Sequence, residues 1–488
     1  MIDAVEPRIF RGLRDYLPDQ MRLRNRLIDT VRTVYESYGF LPLGTPAIEY
    51  LDVLLGPGGH EANEQIFRVR NPDKPVAADL SAAAPPAATG APDADRLGLR
   101  FDLTVPLARV ISQYPSELPL PFRRYQVASV WRADKPDRGR FREFTQFDID
   151  AVGVESELAD AEIIAAMCDT MTALDAGPFK VRFSSRKILN LLLAYAGVPA
   201  EVLLKRADNV ETRPGTDVFR VLDKLPKIGI EKVRLELTKG YTDESGDKIP
   251  GLGLAPEQVA RIEAFLNLKA DSRRATLDQL TSLFAGVDGS DAVLAQVRTI
   301  SDTLATLGYD ESRAIIDLSI ARGLAYYTGP VFETTLDELP QFGSVMSGGR
   351  YDDLIKRFKG TSVPAVGTSI GIDRLLAAMV ESKRVALKAA TAQVLVTTMD
   401  AGLTNEYLQL AAQLRRAGVR TEIYLGSARV GKQMKYADAL GIPLVILIGS
   451  DESARGVVQI KQMDLGLQLS ASMATREEYR QARPGQFE

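Results

Sequence analysis

Apolar side chains recur at helical spacing at Leu23, Leu27, Ile28, Val31, Val34, Tyr35 and Tyr38. That spacing predicts an amphipathic helix opened by Asp19 and stopped by Gly39. The next run, FLPLGTPAIEYLDVLL, is rich in β-forming residues but carries two prolines, which suits an edge or interface strand. Residues 72–97 turn to Ala, Pro and Asp with few large apolar side chains and predict a surface loop. Strand character returns in LGLRFDLTV. Two antiparallel strands follow, at about 124–132 and 142–152, joined by ADKPDRGR. In FTQFDID the alternation puts Gln146, Asp148 and Asp150 on one face and Phe147 and Ile149 on the other. Residues 155–175 and 186–196 read as helices, and 197–310 as a mainly helical insertion between two parts of one core. Strands resume at AIIDLSI, YYTGPVFETTL and SVMSGG, and VGTSIGI runs into the helix DRLLAAMVE. Beyond about 390, short apolar runs (QVLVTTM, RTEIYL, PLVILIG, VVQIKQM) alternate with helical stretches at 403–417 and 430–441, the pattern of a separate α/β domain.

Composition narrows the possible chemistry. The 488 residues suffice for two to four domains, and 45% apolar with 25% charged residues is ordinary for a globular chain. A net charge of −4 excludes nucleic-acid binding by bulk charge, though not by one basic face. A single cysteine, Cys168, excludes an internal disulfide and a thiolate zinc cluster. A single histidine, His60, excludes a metal site built on His and argues against a Ser-His-Asp triad; its Gly-rich setting reads as an exposed loop. No signal peptide and no membrane span are expected, so a reduced cytoplasm is the default compartment.

Arginine is the conspicuous remaining reagent. Arg132, Arg138, Arg140 and Arg142 cluster about one hairpin loop; Arg322, Arg350 and Arg374 lie beside glycines. Guanidinium is a permanently charged planar fork suited to phosphate. Any one of these arginines alone is best explained by a solvated face; their shared position at the ends of apolar strands is not. Asp102 and Asp150, placed on strands in apolar surroundings, need cationic partners, either these arginines or an amine or polar ring of a ligand. No GxxxxGK[ST] occurs, and GTSIGIDR does not fit a dinucleotide fingerprint.

Three ordered segments resemble the motifs of class II aminoacyl-tRNA synthetases: the helix from about 21 with LPLGTPAIEYLDVL and Pro46, then VWRADKPDRGRFREFTQFD with Arg132, then VGTSIGIDRLL with Gly371 and Arg374. RGLAYYTGPVFE and SGGRYDDLI resemble the two signatures of the histidyl-tRNA synthetase family. The resemblance covers nearly the whole chain apart from 72–97. It implies an α+β class II catalytic domain with an antiparallel sheet of six or seven strands and a helical insertion, plus a C-terminal α/β anticodon-binding domain. The implied divisions are 1–196 and 311–385 for the catalytic core, 197–310 for the insertion and 391–488 for the anticodon-binding domain. The implied activity joins histidine to tRNA(His) through an adenylate, with ATP as substrate, Mg2+ as its ion and a homodimer as the assembly.

By the same resemblance, Arg132 binds the α-phosphate and substrate carboxylate, Arg374 holds the γ-phosphate and stacks on adenine, and Arg140 reaches the γ-phosphate. Asp134 stands at the adenine edge, where most class II enzymes have glutamate. Arg322 sits at the α-phosphate. Asp102, Thr104 and Gln146 hold the α-amino group; Asp150 and Tyr327 grip the imidazole, with Tyr326 and Tyr351 beside them. Ala325 departs from the family, which usually has aspartate there. The basic residues Arg415, Arg416, Arg420, Arg429, Lys432 and Lys435 are candidates for tRNA contact, a solvated helix face being an equal alternative for each. The rival reading is a catalytically silent relative resembling the regulatory subunit of ATP phosphoribosyltransferase. Retention of Arg132, Arg322, Arg374 and the C-terminal domain argues against it.

Overall fold

The structure, a computed structural model, describes residues 5–55, 65–70, 96–199, 201–206, 209–244, 246–320, 326–385, 387 and 389–463. The chain divides into two units, Met1–Arg14 with Arg26–Val385, and Asp15–Asn25 with Ala386–Glu488.

Helix α1 (Pro18–Ser37) gives the first unit Leu27, Val31 and Tyr35, buried at four-residue spacing, each at 2% exposure or less. Each such side chain contributes roughly 1.5–3 kcal/mol of transfer free energy. Gly39, at a positive φ of 76°, then turns the chain. Strands β1 (Leu41–Pro42) and β2 (Ile48–Tyr50) follow, and the chain coils into the single turn α2 (Leu51–Leu54). The expected continuous strand over FLPLGTPAIEYLDVLL is therefore broken between its prolines and ends as a helix. β2 joins β3 (Arg68–Val69) and β4 (Leu97–Leu99) in a small antiparallel sheet.

Helix α3 (Thr104–Gln113) begins five residues after β4. Asp102 thus sits on the bend before a helix, not on a strand as expected. Its Oδ1 accepts from the Val105 backbone N–H at 3.0 Å, satisfying a donor of the first turn. The β-forming residues of FDLTV misled; the cap outweighs them.

The main sheet follows. β5 (Phe122–Trp131) and β6 (Glu143–Val152) pair antiparallel over their full length, and helix α4 (Glu157–Leu174), capped by Ser156, leads to β7 (Phe179–Ser185) and helix α5 (Arg186–Ala196). The chain then leaves the sheet. It forms the hairpins β8 (Glu201–Arg206) with β9 (Asn209–Pro214) and β10 (Gly240–Thr242) with β11 (Lys248–Pro250). Helices α6 (Asp217–Asp223), α7 (Leu225–Leu237), α8 (Pro256–Leu266), α9 (Arg273–Leu283) and α10 (Ser290–Thr306) make up the rest of this stretch. It returns through β12 (Ala314–Ile316), β13 (Pro330–Leu336), β14 (Ser344–Arg350), the turn α11 (Lys356–Lys359), β15 (Ala365–Gly371) and helix α12 (Ile372–Glu381).

The sheet order is β1-β5-β6-β15-β14-β13-β7-β12. Its six inner strands are antiparallel, but β1 pairs with β5 and β12 with β7 in parallel. The expected antiparallel sheet of six or seven strands is present as these six inner strands, and a short parallel pairing at each edge brings the total to eight. On β6, Phe147 and Ile149 are fully buried, and Tyr35 of α1 packs edge-on to Phe147 at 5.0 Å. The opposite face of β6, carrying Gln146, Asp148 and Asp150, looks into a cleft.

In the second unit, β16 (Val394–Val396) pairs in parallel with β17 (Thr421–Ile423) and β18 (Leu444–Leu447), and β18 pairs antiparallel with β19 (Gln459–Gln462). Helix α13 (Thr404–Arg416) places Tyr407 and Ala411 against Val394, Val396 and Ile423; helix α14 (Val430–Leu440) places Ala437 against Leu395 and Val445. Both sheet faces are thus covered, as buried, nearly continuous apolar strands require. A further short helix, α15 (Ser450–Arg455), lies between β18 and β19.

Candidate active site

Over β6, β13, β14 and β15 lies a cleft of about 360 Å³. Its floor is ionic. Arg124 on β5 is fully buried and lies opposite Asp150 in the hairpin register, with Nη2 2.7 Å from Asp150 Oδ2 and donating to the Leu103 carbonyl at 3.1 Å. The Tyr351 hydroxyl donates to Asp150 Oδ1. Burial raises the Asp150 carboxyl, and Arg124 and Tyr351 oppose the rise. Gly367 on β15 faces Asp150 across the sheet; a Cβ there would collide with the carboxylate, so only glycine lets the strands approach so closely. Asp148, 2% exposed, is pushed up to about 7 by desolvation; Arg124 and the Ser369 hydroxyl pull it down, while Asp150 and Asp102 push it further up.

One wall holds polar groups beside aromatic rings. Gln146 Nε2 donates to Ser369 Oγ at 2.9 Å. Asp102, raised chiefly by burial, accepts from the Tyr326 hydroxyl at 3.3 Å. Tyr326 meets Tyr327 and Tyr351 edge-on at 5.1 and 6.0 Å, and Thr104 hydrogen-bonds Tyr326.

Toward the mouth the cations gather. Arg132 Nε donates to the Phe101 carbonyl at 2.9 Å, and its guanidinium lies 5.2 Å from the Phe144 ring centre. Arg374 donates from Nη1 to the Ser344 carbonyl at 2.7 Å and from Nε to that of Gly139 at 3.4 Å. Its neighbour Asp373 ties α12 to the sheet by accepting from the Thr145 backbone N–H at 2.5 Å. Arg140 and Asp134 pair with each other, Nε and Nη2 donating to Oδ2 at 3.0 and 2.7 Å.

Eleven of the sequence-derived candidates line this one cleft: Asp102, Thr104, Arg132, Asp134, Arg140, Gln146, Asp150, Tyr326, Tyr327, Tyr351 and Arg374. Arg322 and Ala325 lie outside the described residues, as do His60 and most of 72–97. Arg350 is elsewhere. It is buried in a pair with Asp160, the shortest contact being 2.6 Å, and donates to the Val154 and Ser156 carbonyls, which makes it a structural arginine. Arg138 is a surface partner of Glu381 at 3.4 Å, and Arg142 donates to the backbone of Asp134 and Arg11. Sequence reasoning missed Arg124 and Ser369 and gave Asp148 no role. Asp148 shares the face of Gln146 and Asp150, and the hairpin register would have placed Arg124 opposite Asp150. In the second unit, Arg415 and Arg420 donate to the Thr421 and Thr391 carbonyls, so part of that basic set braces its own fold.

The arrangement offers buried carboxylates and phenols at one end for a polar cationic group, and fixed guanidinium groups at the other for phosphate. Its lining includes no histidine or cysteine. The family model for histidyl-tRNA synthetase matches residues 12–78 and 91–375, and that for the anticodon-binding domain matches 393–481. The chain is 42% identical to a histidine–tRNA ligase of Dinoroseobacter shibae over 96% of this chain and 92% of that protein. It is also 42% identical to that of Paracoccus denitrificans over 98% and 94%. The crystal structure of histidyl-tRNA synthetase from Nostoc sp. PCC 7120 superposes with a TM-score of 0.76 at 32% identity, over 95% of this chain and 96% of that one.

Proposed function

The chain belongs to the histidyl-tRNA synthetase family, and from that membership we infer that it is a histidine–tRNA ligase whose cleft is the site of histidine activation. In the first half-reaction a histidine carboxylate oxygen attacks the α-phosphorus of ATP, the bond to the β-phosphate oxygen breaks, and pyrophosphate leaves. In the second, the terminal ribose hydroxyl of tRNA(His) attacks the acyl carbon and AMP leaves. Neither step needs a protein nucleophile; both need positioned reactants and fixed positive charge.

Arg132 is assigned to the α-phosphate and the substrate carboxylate, and Arg374 to the γ-phosphate and the adenine face. Arg140 is assigned to the γ-phosphate, which requires it to exchange Asp134 for the nucleotide, and Asp134 to the adenine edge. Asp102, Thr104 and Gln146 take the α-ammonium group. Asp150 and Tyr327 take the imidazole, with Tyr326 and Tyr351 completing that end. Arg322 is assigned to the α-phosphate by its place in the family signature. Magnesium is proposed to accompany ATP. No cluster of three or more metal-ligating side chains occurs among the described residues, so the ion would be carried chiefly by the phosphates, and no step above is routed through it.

A homodimer is proposed through the edge of the sheet near β1 and β2, where Leu41, Ile48 and Tyr50 are exposed. The C-terminal unit is proposed to read tRNA(His), with Arg416, Arg429, Lys432 and Lys435 toward its phosphates. No helix among the described residues is long and apolar enough to cross a membrane; the cytoplasm is the proposed compartment. One observation carries the reading: acids and phenols converge at one end of the cleft and arginines at the other. Histidine-dependent ATP–pyrophosphate exchange, followed by charging of tRNA(His), tests it. No exchange, or exchange driven by a different amino acid, would overturn it. The silent regulatory alternative predicts no exchange, and the ligase relatives argue against it.

A further inference from the structure

The floor of the cleft carries more negative charge than its own cation balances. Asp148 and Asp150 stand two residues apart on β6, about 7 Å along the strand, both nearly inaccessible and both facing Arg124. Arg124 gives Nη2 to Asp150 in the 2.7 Å ion pair and to the Leu103 carbonyl, while its buried Nε and Nη1 reach no acceptor among the described residues, Asp148 included. Asp148 is left with the Ser369 hydroxyl of β15, and its buried Oδ1 has no hydrogen-bond partner among the described residues. The other groups felt at this position are Asp102 before α3, Tyr35 from α1, Tyr327, and Arg100, which is itself bonded to the Thr45, Pro46 and Ser129 carbonyls. Arg100 acts on Asp148 only through space, its donors being turned to carbonyls, so one buried carboxylate lacks a cation in direct contact where burial makes that costly. Either the pair keeps a proton or a cation from outside completes it.

Histidine, the ligand assigned above to this end of the cleft, carries the side chain that titrates nearest neutrality. Resting on that assignment, we propose that Asp148 is a specificity-determining residue that makes the cleft hold the histidine ring as imidazolium, Asp150 accepting a ring N–H and Asp148 supplying the balancing negative charge. The step is a proton transfer alone: the free lone pair of a ring nitrogen takes the proton, which comes from the carboxylate pair or from water, and no other bond changes. Burial and the neighbouring Asp150 carboxylate raise Asp148 toward the range in which an imidazole titrates. A ring of the same size that does not protonate near neutrality, such as that of 1,2,4-triazol-3-ylalanine, cannot complete the charge set.

The direct test is the nitrogen NMR spectrum of ring-15N histidine bound to the full chain at pH 8, where free histidine is neutral. Two protonated-type ring resonances are expected; one protonated and one bare nitrogen would overturn the proposal. Asp148→Asn is expected to restore the neutral pattern. In pyrophosphate exchange it is expected to lower the kcat/KM preference for histidine over triazolylalanine about tenfold, or about 1.4 kcal/mol. An unchanged preference in a folded, active variant would also overturn the proposal. Should the variant fail to fold, the wild-type spectrum decides. If histidine is bound and activated with a neutral ring, this proposal alone fails; if histidine neither binds nor supports exchange, the assignment of the cleft fails and takes the proposal with it.

Discussion

Replacing Arg132 by lysine separates the charge of that side chain from its shape. The guanidinium is fixed by the 2.9 Å bond from Nε to the Phe101 carbonyl and by the Phe144 ring 5.2 Å away. Lysine keeps the positive charge but has no donor at the Nε position and no planar fork. The loss then resembles removal of one preorganised oxyanion donor, about 10²–10³ in rate or roughly 3–4 kcal/mol. The cation–π contact adds about 0.5–1 kcal/mol, mostly to orientation. Single-turnover formation of histidyl-adenylate, followed by rapid quench, reads the chemical step itself. The expected outcome for Arg132→Lys is a rate reduced at least 100-fold, with ATP affinity changed only a few-fold. A rate within threefold of wild type would refute the idea that a fixed fork at this position stabilises the transition state.

Three further outcomes are expected from named contacts. Gly367→Ala should drive a Cβ into the Asp150 carboxylate and raise KM for histidine at least about tenfold; steady-state exchange with KM for ATP as the internal control checks this, and equal changes in both would contradict it. Asp160→Leu should cost about 3–5 kcal/mol in urea unfolding, because it strands the buried Arg350. Asp160→Leu combined with Arg350→Met should recover most of that loss, and a single-variant cost under about 1 kcal/mol would show the pair to be dispensable. Burial raises Asp148 from 3.8 to about 7, so the folded chain holds a proton there that the unfolded chain gives up above about pH 4. That group's contribution to stability therefore falls as pH rises from about 4 to 7. Asp148→Asn should match wild type near pH 4 and exceed it at pH 8; an identical difference at both, read by urea midpoints, would contradict the assignment.

Much of the site was legible because its parts sit on strongly patterned strands. The alternation in FTQFDID is enough to put Gln146, Asp148 and Asp150 on one face of β6 and Phe147 on the other. Gly367 on β15 marks a close approach, whereas Gly371 beside Arg374 has room for a side chain. What stayed hidden depended on long-range pairing. Arg124 gains its meaning only from lying opposite Asp150, and PFRRYQ by itself does not say which of its two arginines turns inward. The parallel edge pairings of β1 and β12 span only two and three residues, far too short to leave a local pattern. Asp102 looked like a strand residue because its neighbours favour β structure, yet its carboxylate is used to start a helix. Arg350 looked like a phosphate ligand beside Gly348 and Gly349 until Asp160, 190 residues earlier in the chain, was seen to hold it.

We propose that one cleft holds histidine at its acidic end and the adenylate phosphate at its arginine end. A crystal structure of the full chain with a non-hydrolysable sulfamoyl analogue of histidyl-adenylate measures this directly. The expected result has the imidazole within hydrogen-bonding distance of Asp150 and Tyr327, the ammonium group on Asp102, Thr104 and Gln146, and the sulfamoyl oxygens on Arg132. An analogue lying outside this cleft, or inside it with Arg132 and Arg374 turned away, would contradict the account.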